Sequence, residues 1–332
     1  MSRYFITGAT GFIGGHLARR LRAEGHDVVT IARDRARADD LCALGVQVHL
    51  GDITQRSTLR APMQGADGVY HVAAWYSVGA RDTSMAHDIN VNGTRNVLET
   101  MRELGVAKGV YTSTVGVFGD THGRVLAEDF AGPYDLLTEY DRTKHAAHFD
   151  VARPLQKTGL PLVIVQPGLV YGPGDTSSVR TTFREYLTGK LAATPRATAY
   201  CWAHVDDIVE GHVLAMQKGR VGESYIIAGP RHSLIEAFQV AEAITGIPAP
   251  RQHPSPGTMK ALAALMGFVG RFVAVPGDYS YEGLRVVAGT TYLGDNAKAR
   301  RELGYSPRAL EDGLRATLRG EMQELGLSAR TQ

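Results

Sequence analysis

The sequence predicts an α/β protein with a doubly wound parallel sheet and a smaller C-terminal unit. Short β-branched runs alternate with helical patterns through the first half of the chain, and this alternation is typical of a parallel sheet covered by helices on both faces. Glycine makes up 38 of the 332 residues, above the usual share of ~7%. The excess indicates a local cause, and glycines near the N-terminus contribute to it.

Six strands are predicted in the first half of the chain, each from a short run rich in β-branched residues. They cover residues 4–7, 28–32, 46–50, 69–72, 110–113 and 162–165. Apolar residues recur at helical spacing over residues 12–21, and Gly25 stands where that helix should end. A second apolar stripe, over residues 89–104, predicts a helix between the fourth and fifth strands.

The first predicted strand leads directly into a glycine-rich turn and a helix. Gly8, Gly11 and Gly14 follow residues 4–7 at Gly-x-x-Gly-x-x-Gly spacing. Glycines permit a tight turn and close backbone approach, so that a dinucleotide pyrophosphate can bind the N–H groups of the helix N-terminus. The motif predicts a Rossmann-type cofactor site formed by Gly8, Thr10, Gly11, Phe12, Ile13 and Gly14.

The end of the second strand bears on the choice of cofactor. Arg33, followed by Arg35 and Arg37, is placed to clamp a 2′-phosphate and to select NADP. Asp34, one position later, is instead placed to accept hydrogen bonds from a ribose and to favour NAD. We expect NADP to be preferred, with NAD as the alternative.

The ends of the third and fourth strands are predicted to complete the cofactor site. Asp52 and Ile53 follow the third strand, where the adenine should lie. Ala73 and Ala74 follow the fourth strand and leave room for close backbone approach to the cofactor. Each pair is equally compatible with a strand end that makes no contact with a cofactor.

A tyrosine and a lysine four residues apart are the predicted acid/base pair. Tyr140 and Lys144 share one face of a predicted helix. A phenol is a poor base at neutral pH, but a nearby ammonium and a positively charged nicotinamide both favour phenolate. Ser113 and Thr114 end the fifth strand, at the edge where ligands gather in parallel sheets. One of these two hydroxyls is therefore predicted to bind a substrate carbonyl oxygen.

Ordered motifs over nearly the whole chain resemble the extended short-chain dehydrogenase/reductases, the NAD-dependent epimerase/dehydratase family. Besides the glycine turn and the Tyr140/Lys144 pair, the matching segments are residues 51–52, 71–74, 90–94, 111–114, 167–174, 204–207 and 295–307. The resemblance implies that Thr114 is the catalytic hydroxyl, Tyr140 the acid/base and Lys144 its partner. It also implies that the segment from Pro167 packs beside the nicotinamide, and that residues 96–104 and 140–153 form a homodimer interface.

Two departures from the family patterns bear on the substrate. Val115 and Gly116 follow Thr114, where family dehydratases carry an acidic pair. Leu169 stands where sugar-nucleotide epimerases carry an asparagine near the nucleotide diphosphate. The chain therefore looks most like the dihydroflavonol-reductase-like branch, which implies an NAD(P)-dependent oxidoreductase acting on a carbonyl or alcohol. A sugar or sugar-nucleotide epimerase with tightly bound NAD, and a regulatory dinucleotide-binding protein, are the alternatives.

The alternation of strands and helices weakens after Pro173. We therefore expect an NAD(P)-binding domain over residues 1–173 and a smaller substrate-binding domain over residues 174–332, with some segments of the second returning to the first. Residues 261–270 are the least charged stretch, flanked by Lys260 and Arg271. They amount to about half of the ~20 residues that a membrane span needs. A buried or partner-facing helix is predicted there.

Composition excludes several classes of function. The 36 basic and 34 acidic residues leave a net charge of +2 without long blocks, so neither a nucleic-acid nor an anionic-membrane surface is indicated. Cys42 and Cys201 indicate neither a disulfide framework nor a zinc site. His145 and His148 lack a third ligand, so no metal is predicted. The N-terminus shows no signal-peptide pattern. We expect a cytoplasmic protein with a small-molecule substrate.

Overall fold

The protein is described by a computed structural model that covers residues 1–130 and 132–327. Its strands, numbered β1 to β11, are Arg3–Thr7, Asp27–Ala32, Gln47–Leu50, Gly68–His71, Lys108–Thr112, Leu162–Pro167, Leu169–Tyr171, Ala199–His204, Ser224–Ile227, Arg231–Ser233 and Thr291–Tyr292. Seven of them form a parallel sheet in the order β3-β2-β1-β4-β5-β6-β9. This sheet confirms the Rossmann-type fold class and the six predicted strands, and β9 adds a seventh.

The helices, numbered α1 to α14, are Phe12–Ala23, Asp39–Ala43, Arg60–Met63, Ser84–His87, Thr94–Glu103, Glu139–Ala146, Arg153–Lys157, Ser178–Leu187, Val205–Lys218, Leu234–Thr245, Pro256–Val269, Tyr281–Val286, Ala297–Leu303 and Leu310–Glu324. Wider π-helical turns precede α5 at Asp88–Gly93 and α7 at Ala147–Ala152. No helix in residues 1–130 and 132–327 is long and apolar enough to cross a bilayer.

The large sheet is buried on both faces, which explains why its strands read as continuous apolar runs. Phe5 and Ile6 are neighbours in β1 and are both fully buried, but in different cores. Ile6 packs in the core formed with α1 and α9, whereas Phe5 packs in the core formed with α5 and the π-helical segment 147–152. The sheet is thus held rigidly between two helical layers, and its strand ends form a fixed edge.

A second, four-stranded sheet lies in the C-terminal half of the chain. Its centre is β8, which pairs in parallel with β7 and β11 and antiparallel with β10. Aromatic side chains, including Phe183, Trp202 and Phe238, pack it against α8, α10 and α14. Helix α9 and strand β9 also follow residue 173, yet they belong to the large sheet and its core. The domain division at residue 173 stays a prediction, and residues 328–332 lie outside the described residues.

The helix that carries Tyr140 does not end at Pro154. Proline lacks an N–H donor, so the sequence predicts that Pro154 kinks or ends this helix near Arg153. Helical structure instead continues from Glu139 to Lys157. The bonding pattern widens to a π-helical turn over Ala147–Ala152, and Pro154 lies in the first turn of α7. The widened bonding pattern before Pro154 accommodates a residue that lacks the N–H donor of a regular α-helix.

We expect the protein to form a homodimer in solution through residues 96–104 and 140–153. This expectation comes from the resemblance to the family, in which the corresponding helices form a four-helix interface. In the monomer, α5 packs against the π-helical segment Ala147–Ala152, so the two helices already form one surface layer. Light scattering at micromolar concentration should give twice the chain mass of 35.8 kDa. A monomer mass would contradict the expectation.

Candidate active site

A cleft of about 1270 Å³ follows the carboxyl ends of the parallel strands. Single-ligand sites usually measure ~300–1,000 Å³, so this cleft has room for a dinucleotide and a substrate together. All of the predicted site residues line it. They are Gly8, Thr10, Gly11, Phe12, Ile13, Gly14, Arg33, Asp52, Ile53, Ala73, Ala74, Thr114, Tyr140, Lys144 and Pro167.

The glycine turn forms a cradle that side chains would fill. Gly8 has a φ of +78°, and a Cβ there would lie 2.7 Å from the Cα of Ala73. A Cβ on Gly14 would lie 2.2 Å from the carbonyl oxygen of Gly8. Gly11 precedes α1 without a side-chain cap, and the first turn of α1 contains no acidic residue. Its free N–H groups favour an anion, so the cradle fits a dinucleotide pyrophosphate.

Two arginines line the cleft beyond β2. Arg33 and Arg37 are both exposed and both lie in the cleft lining. Asp34 lies outside this lining, and its Oδ1 accepts a hydrogen bond of 3.0 Å from the N–H of Ala36. The edge of the cleft beside β2 is therefore basic. Sequence reasoning had noted Arg37 only as a neighbour of Arg33, because exposed loop arginines carry no local pattern.

The residues after β3 are held in a fixed turn. The Oδ1 of Asp52 accepts hydrogen bonds from the backbone N–H and the hydroxyl of Thr54, at 2.9 and 3.0 Å. The Asp52 N–H donates to the hydroxyl of Thr58 at 3.1 Å. Ile53 is buried, and a Cβ on Gly93 would lie 2.6 Å from its Cδ1. This turn presents an ordered wall at the same end of the cleft as the arginines.

A buried polar chain below the glycine turn joins β1 to β4. The hydroxyl of Thr7 lies 2.7 Å from Nδ1 of His71, and Nε2 of His71 lies 2.9 Å from the hydroxyl of Thr94. The N–H of Ala73 donates to the Thr7 hydroxyl at 3.3 Å. Burial, with a smaller effect from the charge of Lys144, lowers the pKa of His71 to about 3. A neutral His71 therefore fixes the distance between the two strand ends that hold the cofactor cradle.

Tyr140 lies in the first turn of α6, where a capping box sets its position. The Asp141 N–H donates to the Thr138 hydroxyl at 2.9 Å, and the Thr138 N–H donates to Asp141 Oδ2 at 3.2 Å. The Tyr140 ring lies edge-on to Tyr76, with centroids 4.8 Å apart. Burial raises the pKa of Tyr140, the charges of Tyr76 and Asp141 raise it further, and a hydrogen bond with the Thr114 hydroxyl opposes the rise. Tyr140 therefore keeps its proton at neutral pH in the cofactor-free protein.

Lys144 is buried one helical turn after Tyr140. Its Nζ donates to the carbonyl oxygen of Thr112 at 2.7 Å and to the hydroxyl of Tyr111 at 3.2 Å. Burial lowers the pKa of Lys144 to about 7. Its charge is therefore sensitive to any anion or phenolate that comes close to it near neutral pH.

The two hydroxyls at the end of β5 have different partners. The Ser113 hydroxyl lies 2.8 Å from Nδ1 of the buried His148. The Thr114 hydroxyl accepts a hydrogen bond of 3.1 Å from the Gly116 N–H, and it lies close enough to Tyr140 to lower the pKa of its phenol. Of the two candidates, Thr114 is the one that the fold brings to Tyr140.

The remainder of the cleft has a largely apolar wall. Side chains from the second sheet and from α10 to α12 form it, including Trp202, Leu234, Phe238, Met259 and Leu284. Trp75 and Tyr76, which follow β4 along the chain, also line the cleft. Leu169 lies in this lining as well, half-buried, and offers no polar contact.

Three residues near Tyr140 were missed by sequence reasoning. The Tyr292 hydroxyl donates to Asp141 Oδ2 at 2.9 Å. Glu282 of α12 accepts 2.7 Å hydrogen bonds from the N–H of Gly79 and from the N–H of Glu139. The pattern Thr138-x-x-Asp141 is a capping signal that could have located Asp141. Tyr292 and Glu282 are more than a hundred residues away along the chain, and no local pattern indicates them.

Comparisons with known proteins agree with this geometry. The family model for the NAD dependent epimerase/dehydratase family matches residues 4–228. Sterol demethylase protein B of Methylococcus capsulatus is 32% identical over 307 residues, covering 91% of this chain and 93% of that protein. A Synechocystis sp. protein provisionally named dihydroflavonol 4-reductase is 33% identical over 329 residues, covering 94% of this chain and 92% of that protein.

A solved structure shows the same fold with a dinucleotide bound. It is the dTDP-glucose 4,6-dehydratase DesIV of Streptomyces venezuelae with NAD, which is 26% identical and has a TM-score of 0.77. The match covers 98% of each chain. The family model matches more than half of the present sequence and the relatives match nearly all of it. The protein therefore belongs to the NAD-dependent epimerase/dehydratase family.

Proposed function

We propose that the protein is an NAD(P)-dependent oxidoreductase, with NADP preferred, that interconverts a carbonyl and an alcohol on an apolar substrate. The observation that carries this proposal is the single cleft that joins the glycine cradle, the Thr114/Tyr140/Lys144 group and the apolar wall. The relative provisionally named as a reductase supports the same reaction class. Valine and glycine after Thr114, in place of an acidic pair, argue against a dehydratase.

A bound nicotinamide dinucleotide supplies the hydride for reduction and accepts it for oxidation. Tyr140 donates its hydroxyl proton to the substrate oxygen during reduction and recovers it during oxidation. Thr114 holds the same oxygen by a hydrogen bond, because its hydroxyl already lies beside that of Tyr140. Pro167 lines the cleft at the end of β6, where the resemblance to the family places the nicotinamide.

Lys144 stabilises the phenolate that forms when Tyr140 loses its proton. With a pKa of about 7, the amine is charged in part of the population before reaction. A phenolate one helical turn away raises that pKa again, since opposite charges favour one another in a buried site. Lys144 is thereby more fully charged when Tyr140 is ionised.

The alternative is a sugar or sugar-nucleotide epimerase with tightly bound NAD. Its support is the likeness to DesIV, whose name specifies a nucleotide sugar. Leu169 lines the cleft at the position where sugar-nucleotide epimerases carry an asparagine, and it offers no hydrogen-bond partner to a nucleotide diphosphate. A site that discriminates among polar substrates needs such partners, because buried hydroxyls without them are costly. The oxidoreductase is therefore the better proposal.

Cofactor turnover distinguishes the two candidates. We expect the purified protein to consume one NADPH for each carbonyl reduced when it is offered a panel of apolar ketones and aldehydes. Nicotinamide absorbance measures the NADPH that is consumed, and chromatography of the products measures the carbonyl that is reduced. Epimerisation of a UDP-sugar at constant absorbance, with NAD retained through purification, would establish the alternative.

A further inference from the structure

Helix α11 carries an apolar face that the protein leaves exposed. Leu265, Phe268 and Phe272 are 58%, 58% and 74% exposed, although the average large apolar side chain is buried. Their spacing of i, i+3 and i+7 places them on one side of the helix and its C-terminal turn. The rings of Phe268 and Phe272 pack edge to face, with centroids 5.2 Å apart. We call residues 256–275 the α11 segment.

The opposite face of α11 is packed within the protein. Met259 and Ala263 are buried against Leu284 and Ala288 in a small separate core. The sequence predicts a buried or a partner-facing helix over residues 261–270. Leu265 and Phe268 are exposed, so the prediction of a buried helix is wrong at these two positions. The helix is anchored on one side, and no side chain in residues 1–130 and 132–327 covers the exposed phenylalanines on the other.

The α11 segment lies at the mouth of the cleft. Met259 and Leu262 line the cleft from this helix, and Leu262 is also 39% exposed. Tyr279, just after the segment, lines the cleft and is exposed as well. The apolar outer surface is thus continuous with the apolar wall of the substrate site.

The charges of the segment have one sign. Residues 256–275 contain Lys260 and Arg271 and no aspartate or glutamate. Arg81 lies beside them, since its guanidinium donates to the carbonyl oxygen of Val273 at 2.8 Å. Asp82 follows Arg81, and its Oδ1 accepts a hydrogen bond from the Ser84 N–H. The composition of the whole chain, with a net charge of +2, indicates no anionic-membrane surface. This local surface differs, because it combines large apolar side chains with three cations, beside which lie the exposed Asp82 and Asp278.

These charges argue against a second copy of the chain as the occupant. If two α11 helices paired antiparallel, Lys260 of one copy would lie near Arg271 of the other, and parallel pairing would oppose identical cations. The segment offers no carboxylate to neutralise either arrangement, and like charges across an interface are unfavourable. An anionic surface is complementary to both the cations and the apolar face.

We propose that the α11 segment docks on the surface of a bilayer containing anionic phospholipids. Helix α11 has 14 residues, about 21 Å at 1.5 Å per residue, so it lies in the interface instead of crossing the bilayer. Leu265, Phe268 and Phe272 enter the acyl boundary, and Lys260, Arg271 and Arg81 contact the headgroups. Docking brings the cleft mouth to the membrane, from which an apolar substrate enters along Leu262 and Met259.

Flotation with lipid vesicles tests the docking itself, separately from the proposed reaction. We expect the full chain to float with vesicles of phosphatidylcholine and phosphatidylglycerol, and to be released at about 1 M salt, where the Debye length falls to ~3 Å. Phe268→Ser together with Phe272→Ser should weaken vesicle binding by about tenfold or more. Lys260→Gln together with Arg271→Gln should remove the preference for anionic vesicles. Tyr140→Phe should leave vesicle binding unchanged, because Tyr140 lies in the cleft and is not part of the exposed face of α11.

Leu44→Ser together with Val221→Ser is the matched control, since these side chains are 42% and 52% exposed at other sites. This pair should bind vesicles like the wild type. Amide hydrogen exchange on the unmodified chain gives a second measurement, and exchange within residues 256–275 should slow when anionic vesicles are added. Absence of vesicle binding, equal loss in the control pair, or a phenylalanine variant that dissociates an oligomer while vesicle binding persists would each overturn the proposal.

Discussion

Replacing Tyr140 by phenylalanine should lower turnover by about 10²–10⁴-fold, the range expected for a positioned acid/base group. Phenylalanine keeps the ring and its edge-on packing against Tyr76, so the shape of the cleft is retained. The substitution removes only the hydroxyl, which lies beside Thr114 and is the proposed proton donor. The affinity for NADPH, measured by fluorescence titration, should stay close to the wild-type value.

The matched control for this variant is Tyr279→Phe. Tyr279 lines the same cleft but is exposed, so loss of its hydroxyl should leave turnover near the wild-type rate. If Tyr140→Phe retained activity within about tenfold of the wild type, Tyr140 would not be the acid/base, since the effect would be below the usual range. A parallel loss of cofactor affinity would instead indicate damage to the cleft.

The cofactor half of the site could be predicted because each of its features is local in sequence. The glycine turn follows β1 directly, and the turns after β3 and β4 follow their own strands. A parallel sheet brings all carboxyl ends to one edge, so separate local patterns converge on one place without any knowledge of tertiary contacts. The cleft lining contains every residue that was selected in this way.

The substrate half could not be predicted in the same way, because its contacts are distant in sequence. Glu282 joins the loop containing Gly79 to the start of α6, and Tyr292 holds Asp141. Neither Glu282 nor Tyr292 belongs to a periodic or motif-like pattern. The exposure of α11 also depends on what the rest of the fold leaves uncovered, since hydrophobicity alone does not distinguish a buried face from an exposed one.

The helix of Tyr140 shows a third kind of limit. Proline predicts a break because it removes an N–H donor and its ring crowds the preceding turn. A π-helical turn over Ala147–Ala152 changes the bonding pattern, and the helix then continues past Pro154. Such turns are stabilised by tertiary packing, here by Val151 and Ala152 in the core beneath α5. Proline does remove an N–H donor, as the rule states, but tertiary packing allows the helix to continue.

Arg33→Ala should weaken NADP binding by about ten- to a hundredfold, since a hydrogen-bonded charge pair contributes ~1.5–3 kcal/mol. Arg33 lines the cleft beside Arg37, at the end of β2 where the 2′-phosphate of NADP would lie. NAD has no phosphate at this position, so its affinity should change little. Calorimetric titration with both dinucleotides gives the ratio of the two effects. General damage to the fold would lower both affinities together.

Arg35→Ala is the matched control, because Arg35 is exposed on the same loop but lies outside the cleft lining. It should leave the affinity for either dinucleotide unchanged, whereas Arg37→Ala should add to the effect of Arg33→Ala. In the competing interpretation, Asp34 binds the ribose of NAD. Its carboxylate accepts a hydrogen bond from the Ala36 N–H and would have to turn toward the ribose. If the wild type prefers NAD and Asp34→Ala is the variant that weakens it, Asp34 is the ribose ligand and Arg33 only a solvated neighbour.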